Sequence, residues 1–473
     1  MGVFDFDRAI DSTFNTAFNL SAKLLGAAAS GAFSVIRNAA TSFGEVWRIR
    51  GTELASRNNR GVWVSSSVDK KALCLNDDPK FDDTETIRDA DNEPALGYLA
   101  GDSELPESLI ISGGTDTDRC RALIPFIFKS QKNHMPIVII HNSDSELEAM
   151  IAGNCKVHEI VSRKGNFCDI FAGLIPDDIV RLIYDTVEQD TPERGTEPLL
   201  RALVNVVLTK RPDACIEDVA SFPPGRLRDE INSLNAQGVL TKQQYSDWLE
   251  DYDSGSCARD SVRSFLARLK DDFRSTFGTK KPGQANANIR RALKSKGIVM
   301  LDIGKGNAEL AVKLIMNYLL LLDKNNHKFN VIIDDLPIAK FPEFSDLIRD
   351  RAYAISHSDF VAASLSLSRS IYSRENNAEE LFHDMTRDVG VVCVFRHPST
   401  YSCRKWSEYF GMYRKIKIQR EHSRSGGLFS YNRTDSLAEH EQDLPRVRDR
   451  SISMLPDGGA CVYRSEGIFI GSI

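Results

Sequence analysis

Leu109–Lys129 reads LIISGGTDTDRCRALIPFIFK, a short apolar run followed by a glycine-rich turn and a helical pattern. Strand, glycine turn and helix in that order are the parts of a P-loop. In G-x-x-x-x-G-K-[ST], backbone N–H groups wrap the phosphates, the lysine neutralises them and the hydroxyl holds Mg²⁺. Laid on Gly113, the pattern keeps its first glycine, and Gly114, Thr115 and Thr117 fill the variable positions. Asp118 stands where the second glycine belongs, Arg119 where the lysine belongs and Cys120 where the hydroxyl belongs, with a further acid at Asp116. Two carboxylates would then face a polyanion. Like unit charges ~4 Å apart oppose each other by about 4 kcal/mol even at an effective dielectric of about 20. Arginine keeps the lysine's charge but presents a planar fork, a poor substitute inside a narrow loop. The plainer reading is a strand-turn-helix with Gly113 and Gly114 in the turn.

A second stretch with nucleotide-site chemistry is Phe329–Pro337, FNVIIDDLP, an apolar strand ending in two acids. That is the form of a Walker B element, in which Asp334 would hold Mg²⁺ and Asp335 would polarise the attacking water. Asp335 stands where glutamate is usual. It is one methylene shorter, and placement at the ångström scale matters to rate. Gly304-Lys305-Gly306, between a strand and a helix, offers a further lysine to a phosphate, though a plain loop has the same composition.

Positioning these residues requires an α/β scaffold. With 473 residues, 42% hydrophobic and 27% charged, the chain is long enough for two or three domains and lies outside the disordered class. A net charge of -6 exerts no general pull on nucleic acid. Its nine cysteines form no CxxC pair and have no histidines at metal-ligand spacing, the pattern of reduced cytosolic thiols. Apolar runs predict strands at Leu109–Ser112, Pro136–His141, Gly297–Ile303, Asn330–Asp334, Phe360–Leu365 and Val389–Phe395. Helical segments separate them, as in a mainly parallel sheet covered on both faces. Residues 191–287 read as helices alone, which makes them an all-α insertion between two parts of an α/β domain, 96–190 and 288–473.

Residues 1–95 form a different region. Phe14, Phe18, Leu25, Ile36, Phe43 and Trp47 recur at helical offsets, so Ser12–Arg50 predicts amphipathic helix, too polar to span a bilayer. Such a helix docks on its own domain, on a neighbouring subunit or on a membrane surface. Gly61–Asn76 alternates like a hairpin, and the acidic run Asp77–Glu93 reads as a solvated loop.

The order of these parts, with GGTDTDRC, IIDDLP, SEYFG at Ser407–Gly411 and LPDGGACVY near the C-terminus, resembles the TraG/TraD family of type IV coupling proteins. The resemblance covers about Leu96–Ile473 and implies a RecA-like P-loop fold, a ring-forming ATPase ancestry and an all-α domain that faces cargo. Departures matter as much. The family's glutamine after the strand following Walker B is replaced by SLSLSRS at Ser364–Ser370, with Arg369, and its paired N-terminal membrane helices are missing. The expectation is a cytoplasmic pseudo-ATPase without nucleotide, recruiting protein or protein–DNA cargo and assembling with itself or with an active paralogue. Its amphipathic helix would be the route to the inner face of a membrane. The alternatives are a motor that uses ATP and Mg²⁺ through Arg119, and a DNA-binding subunit without nucleotide.

Remaining signals are local. Arg414–Arg424, RKIKIQREHSR, predicts an edge strand with basic outward residues, then a loop to about Arg450. Arg396, His397, Arg404 and Lys405 follow the last core strand, where ring motors present a finger arginine. In the insertion, Phe222, Leu234, Tyr245, Trp248 and Phe265 offer anchors for a protein partner. Arg226, Arg228, Lys242, Arg259, Arg263, Arg268 and Lys270 offer charge for phosphate, diluted by neighbouring acids.

Overall fold

In the computed structural model the described residues are 61–65, 87–90 and 99–473, the last with breaks at 100, 102, 143–144, 156, 162–166, 188–193, 281–285, 304–308, 337–342, 365–381, 384, 388, 428–429 and 465–466. Ser12–Arg50 and Gly304-Lys305-Gly306 lie outside them. Two units result, Gly61–Gly411 with Pro445–Ile473, and one that contains Met412–Leu444.

In the larger unit, apolar central strands buried on both faces and more polar outer strands share one sheet. They are β1 (Gly61–Ser65), β2 (Ile87–Ala90), β3 (Leu109–Ser112), β4 (Ile137–His141), β5 (Val157–Val161), β8 (Ile298–Asp302), β9 (Asn330–Asp334), β10 (Tyr353–His357), β11 (Val391–Phe395), β14 (Gly459–Arg464) and β15 (Gly467–Ser472). β6 (Phe167–Cys168) and β7 (Asn286–Ala287) pair separately. The sheet order is β2-β1-β15-β14-β11-β3-β10-β9-β4-β8-β5. Every pairing is parallel except those of β14 with β11 and β15.

Alternate residues face opposite cores. Leu109, Ile111, Ile137, Ile139, Ile298 and Ile332 pack with α1 (Asp116–Lys132) and α2 (Ser145–Asn154). Ile110, Val138, Ile140, Val299, Val331 and Ile355 belong to a second cluster. It takes in helices α3 (Pro176–Thr186), α4 (Thr196–Lys210), α5 (Ile216–Ser221), α6 (Leu227–Ala236), α7 (Lys242–Gly255) and α8 (Arg259–Phe277). α9 (Ile289–Lys294), α10 (Glu309–Lys324), α11 (Glu343–Ile348), α12 (Thr400–Phe410) and α13 (Asp449–Ser453) complete it. From Thr196 to Phe277 every described element is helical. These helices share one continuous core with the sheet, and Asp272 of α8 accepts the Leu310 N–H at 3.2 Å, capping α10.

Several expectations need correction. Phe360–Leu365 is not a strand: residues 360–364 are helical, started by Asp359, whose carboxylate accepts the Ala362 N–H at 3.1 Å. The strand is β10, whose YAISH composition reads weakly because Ser356 and His357 serve the strand end. Gly61–Ser65 is not half of a local hairpin. It pairs in parallel with β15 and with Ile87–Ala90, so part of the acidic run is a strand. Parallel partners are remote in sequence, so no local pattern announces them. Arg414–Arg424 lies in the longer strand β12 (Met412–Gly427), but its partner β13 (Ser430–Pro445) replaces the predicted loop. A two-stranded ribbon is held by backbone pairing and needs no apolar alternation. Leu234 and Trp248 are buried, so these two are internal rather than partner anchors, while Phe222, Tyr245 and Phe265 are half-buried against the same core. Bundling helices must bury their own apolar faces first.

Candidate functional site

The carboxyl ends of β11, β3, β10, β9 and β4 lie side by side and bring the predicted site residues to one sheet edge. At the end of β3, Gly113 and Gly114 take φ of 83° and 71°, and α1 starts at Asp116. The loop is therefore only Gly113-Gly114-Thr115, and the positions aligned with the second glycine, lysine and hydroxyl of a P-loop already lie within the helix. Thr115 caps it. Its side chain accepts the Asp118 N–H at 3.2 Å, while the Asp118 carboxylate accepts the Thr115 N–H at 3.1 Å and its hydroxyl at 2.7 Å. This capping box sets a carboxylate at the helix start where a phosphate would need N–H groups.

Arg119 is 3% exposed and turns back on its own loop, pairing with Asp116 and donating to the Gly114 carbonyl at 3.3 Å. Cys120 is buried under the sheet face, and Thr117 donates to Glu146 at 2.8 Å. The glycines face protein. A Cβ on Gly113 would lie 2.9 Å from both the Arg396 carbonyl and His397 Nε2, and one on Gly114 would lie 2.8 Å from the Phe395 ring. Below the turn, Ser112 accepts the Phe360 N–H at 3.2 Å and the Trp406 indole N–H at 3.3 Å. Its own proton is then directed to His397 Nε2 at 2.9 Å, which makes the imidazole a neutral acceptor there. Burial pushes the His397 pKa down, and the His357 charge adds to this while Asp359 opposes it.

At the end of β9, Asp334 is buried, set in register between His141 of β4 and Ser356 of β10. Asp335 has φ of 50°, a left-handed conformation that non-glycine residues adopt at a cost of about 1–2 kcal/mol. Three hydrogen bonds hold it there: its N–H donates to the Ser356 carbonyl at 2.8 Å, and its carboxylate accepts the Ser358 hydroxyl at 3.0 Å and the Ser358 N–H at 3.3 Å. Burial raises the Asp335 pKa, but His357, the Ser358 donors and Arg119 together outweigh it and leave it lowered. His357 Nε2 lies 3.8 Å from that carboxylate, and burial depresses its own pKa despite Asp335.

The position after the strand next to the acidic pair is thus His357-Ser358-Asp359. Ser364–Ser370, predicted for that place, lies beyond it, and residues 365–370 are outside the described ones. Asp359 accepts the Ser402 hydroxyl at 2.8 Å and so ties α12 to the edge. Arg396 pairs with Asp457 at 2.6 Å, Arg404 with Glu408 at 3.8 Å and Lys405 with Glu408 at 3.4 Å. Sequence reasoning missed His141, Ser112, Asp359 and Trp406. Only the histidine closing the PIVIIH run gave a signal.

No protein-family model matches the chain, and no curated protein matches it. Solved structures do. The bacterial conjugative coupling protein TrwBdeltaN70, unbound monoclinic form, is similar at 15% identity and a TM-score of 0.49, over 78% of this chain and 84% of that one. The plasmid coupling protein TrwB in complex with ADP and Mg²⁺ is similar at 13% identity and 0.44, over 78% and 85%. VirB4 of Thermoanaerobacter pseudethanolicus is similar at 8% identity and 0.39, over 77% and 88%. The fold is RecA-like. One strand, β10, lies between the glycine-turn strand β3 and the acid-bearing strand β9, with helices on both faces. As arranged here, the residues at the turn do not fit a nucleotide or Mg²⁺. The helix start is capped by Asp118, Arg119 is spent on Asp116, and Arg396 and His397 close over Gly113. Among the described residues no helix is long and apolar enough to cross a membrane, and no group of acids, histidines and cysteines could hold a metal ion.

Proposed function

We propose that this chain is a coupling-protein-like pseudo-ATPase that keeps the motor fold as a scaffold and recruits protein or protein–DNA cargo to a secretion or conjugation machine. The observation that supports this most is the Asp118 carboxylate seated at the start of α1, with Arg396 and His397 crowding Gly113. A γ-phosphate would need the same N–H groups, and the negative charge already there opposes it. The coupling-protein resemblance of the sequence supports the class of machine. Assembly with an active paralogue would let a subunit without hydrolysis serve in a ring, and residues 1–50 would supply the contact with a neighbouring subunit or a membrane surface.

Titration calorimetry of the whole chain with Mg-ATP tests the reading. The expected result is no heat of binding up to millimolar nucleotide and no phosphate release. Micromolar affinity that is lost in Asp334→Ala would overturn it and favour the motor that uses Arg119.

A further inference from the structure

The opposite edge of the same sheet carries a feature that the nucleotide site does not explain. Four adjacent strands, β10, β9, β4 and β8, each begin just after a helix, and each helix-to-strand corner holds a non-glycine residue in the left-handed region. These are Asp350 at 61°, Asn326 at 63°, His134 at 55° and Lys296 at 59°. Three of the corners close with the same paired bonds. Met135 N donates to the Ser130 carbonyl at 2.9 Å, Gly297 N to Ala292 at 3.0 Å and His327 N to Leu322 at 3.1 Å. That is the usual helix stop made by glycine, here made by polar and charged residues.

The same corners are basic. Lys294, Lys296 and Lys324 are exposed and have no ion pair among the described residues. Lys328, Arg349 and Lys132 are also exposed, paired loosely with Asp323, Asp346 and Glu104 at 3.1, 3.0 and 3.5 Å. Exposed pairs of that kind are weak and open readily to a competing anion. Asp323 is shared with Arg351 at 3.0 Å, and Asp350 is the remaining exposed acid of the row. His327, between two corners, has its pKa lowered by burial and then by Arg290 and Lys294, so it senses a positive surrounding. Helix macrodipoles account for cations in a last turn. They do not account for Lys296, Lys328 or Arg349, which lie beyond the helix ends.

We propose that this row of four corners is a binding ridge for the phosphate backbone of a nucleic acid strand. Adjacent strands are about 4.8 Å apart, so the row is about 14 Å long. The axial rise of about 3.4 Å per phosphate in a stacked strand is the tightest spacing, so the row meets at most about four phosphates and fewer when the strand is extended. A linear, evenly spaced row suits a linear polyanion. It does not suit a bilayer, because, of the exposed large hydrophobic residues among the described ones, only Leu105 adjoins the row, beside Glu104 at the His134 corner, and one side chain is too little apolar surface to insert. The inference is independent of the nucleotide site, and its test uses no nucleotide.

The experiment is fluorescence anisotropy of a labelled single-stranded DNA oligonucleotide with the full chain, across ~50 to ~200 mM salt. The ridge variant is Lys294→Gln, Lys296→Gly and Lys324→Gln together, glycine being at ease at that φ. The control is Arg226→Gln, Arg228→Gln and Lys242→Gln on the exposed surface of the helical segment. The expected result is an affinity at least about ten-fold lower in the ridge variant, with the log–log salt slope shallower by about 2, from about 0.7 per phosphate contact. The control variant binds like the parent, and neither variant melts below the parent. No binding by the parent, unchanged affinity in the ridge variant, or an equal loss in the control would each overturn the proposal. So would a ridge effect seen on phosphatidylserine vesicles and not on the oligonucleotide.

Discussion

Gly113 and Lys296 share a backbone sign and differ in everything around it. Gly113, at φ 83°, is ringed by protein, so that even a methyl group would meet the Arg396 carbonyl at 2.9 Å. Lys296, at φ 59°, is exposed at the other edge of the sheet, where a glycine would do the same backbone work more easily. At the carboxyl edge, glycine answers crowding by the protein itself. At the amino edge, polar and charged residues hold a glycine's conformation on an open rim. A left-handed residue therefore does not mark a ligand site by its φ. What stands next to it decides.

The largest test of that contrast is Gly113→Ala. It adds left-handed strain of about 1–2 kcal/mol to a contact with backbone that cannot swing aside, for about 3 kcal/mol in all. Urea unfolding reads it, and a loss below about 1 kcal/mol would mean the turn has room after all. Next comes pH. His357 and His397 both have pKa values depressed by burial, so between those values and about 6.5 the unfolded chain binds more protons than the folded one. Stability is full above about 6.5 and is lost as pH falls through the depressed values. Asp335, lowered on balance, adds a further loss only as pH falls below about 3.9. Melting curves from pH 7.5 to 5 should show the first decline and His397→Gln should flatten it, whereas a slope unchanged by that substitution would remove His397 from the account.

Thr115→Ala removes the cap that aims Asp118 at the helix start and should cost about 1 kcal/mol. If calorimetry then detected Mg-ATP, the cap would be the element that keeps phosphate out. The smallest effect is a gain. Lys296→Gly relieves a left-handed side chain on an open corner, and the release outweighs the added freedom of the unfolded chain by a few tenths to 1 kcal/mol. A destabilised variant would mean the lysine stem packs where the exposed corner leaves no such contact.

Much of the sheet was legible because its strands are buried on both faces. IVIIH, IVMLD, NVIID and VVCVF all appear as the apolar runs that a covered parallel strand requires. β10 was hidden because its last residues are polar, and the neighbouring FVAAS run drew the prediction while Asp359 made it a helix. β1 was hidden because one of its partners, β15, is far along the chain, and β2 because its parallel pairing with β1 involves no hairpin turn to announce it. In the insertion, periodicity located the helices but could not say which aromatic side chains they would keep for themselves.

Residue types alone established that the loop after β3 lacks the lysine and second glycine of a P-loop and carries acids in their place, since those identities need no neighbours. They also established the paired acids at the end of β9. Only the tertiary structure decided that the loop ends at Thr115, that Asp118 points back to cap it, and that His397, remote in sequence, is hydrogen-bonded to Ser112 beneath it. The reason is physical. Apolar pattern and charge identity are properties of neighbouring residues, but the closure of Gly113 and the alignment of four basic corners arise when parallel strands distant in the chain are set about 4.8 Å apart.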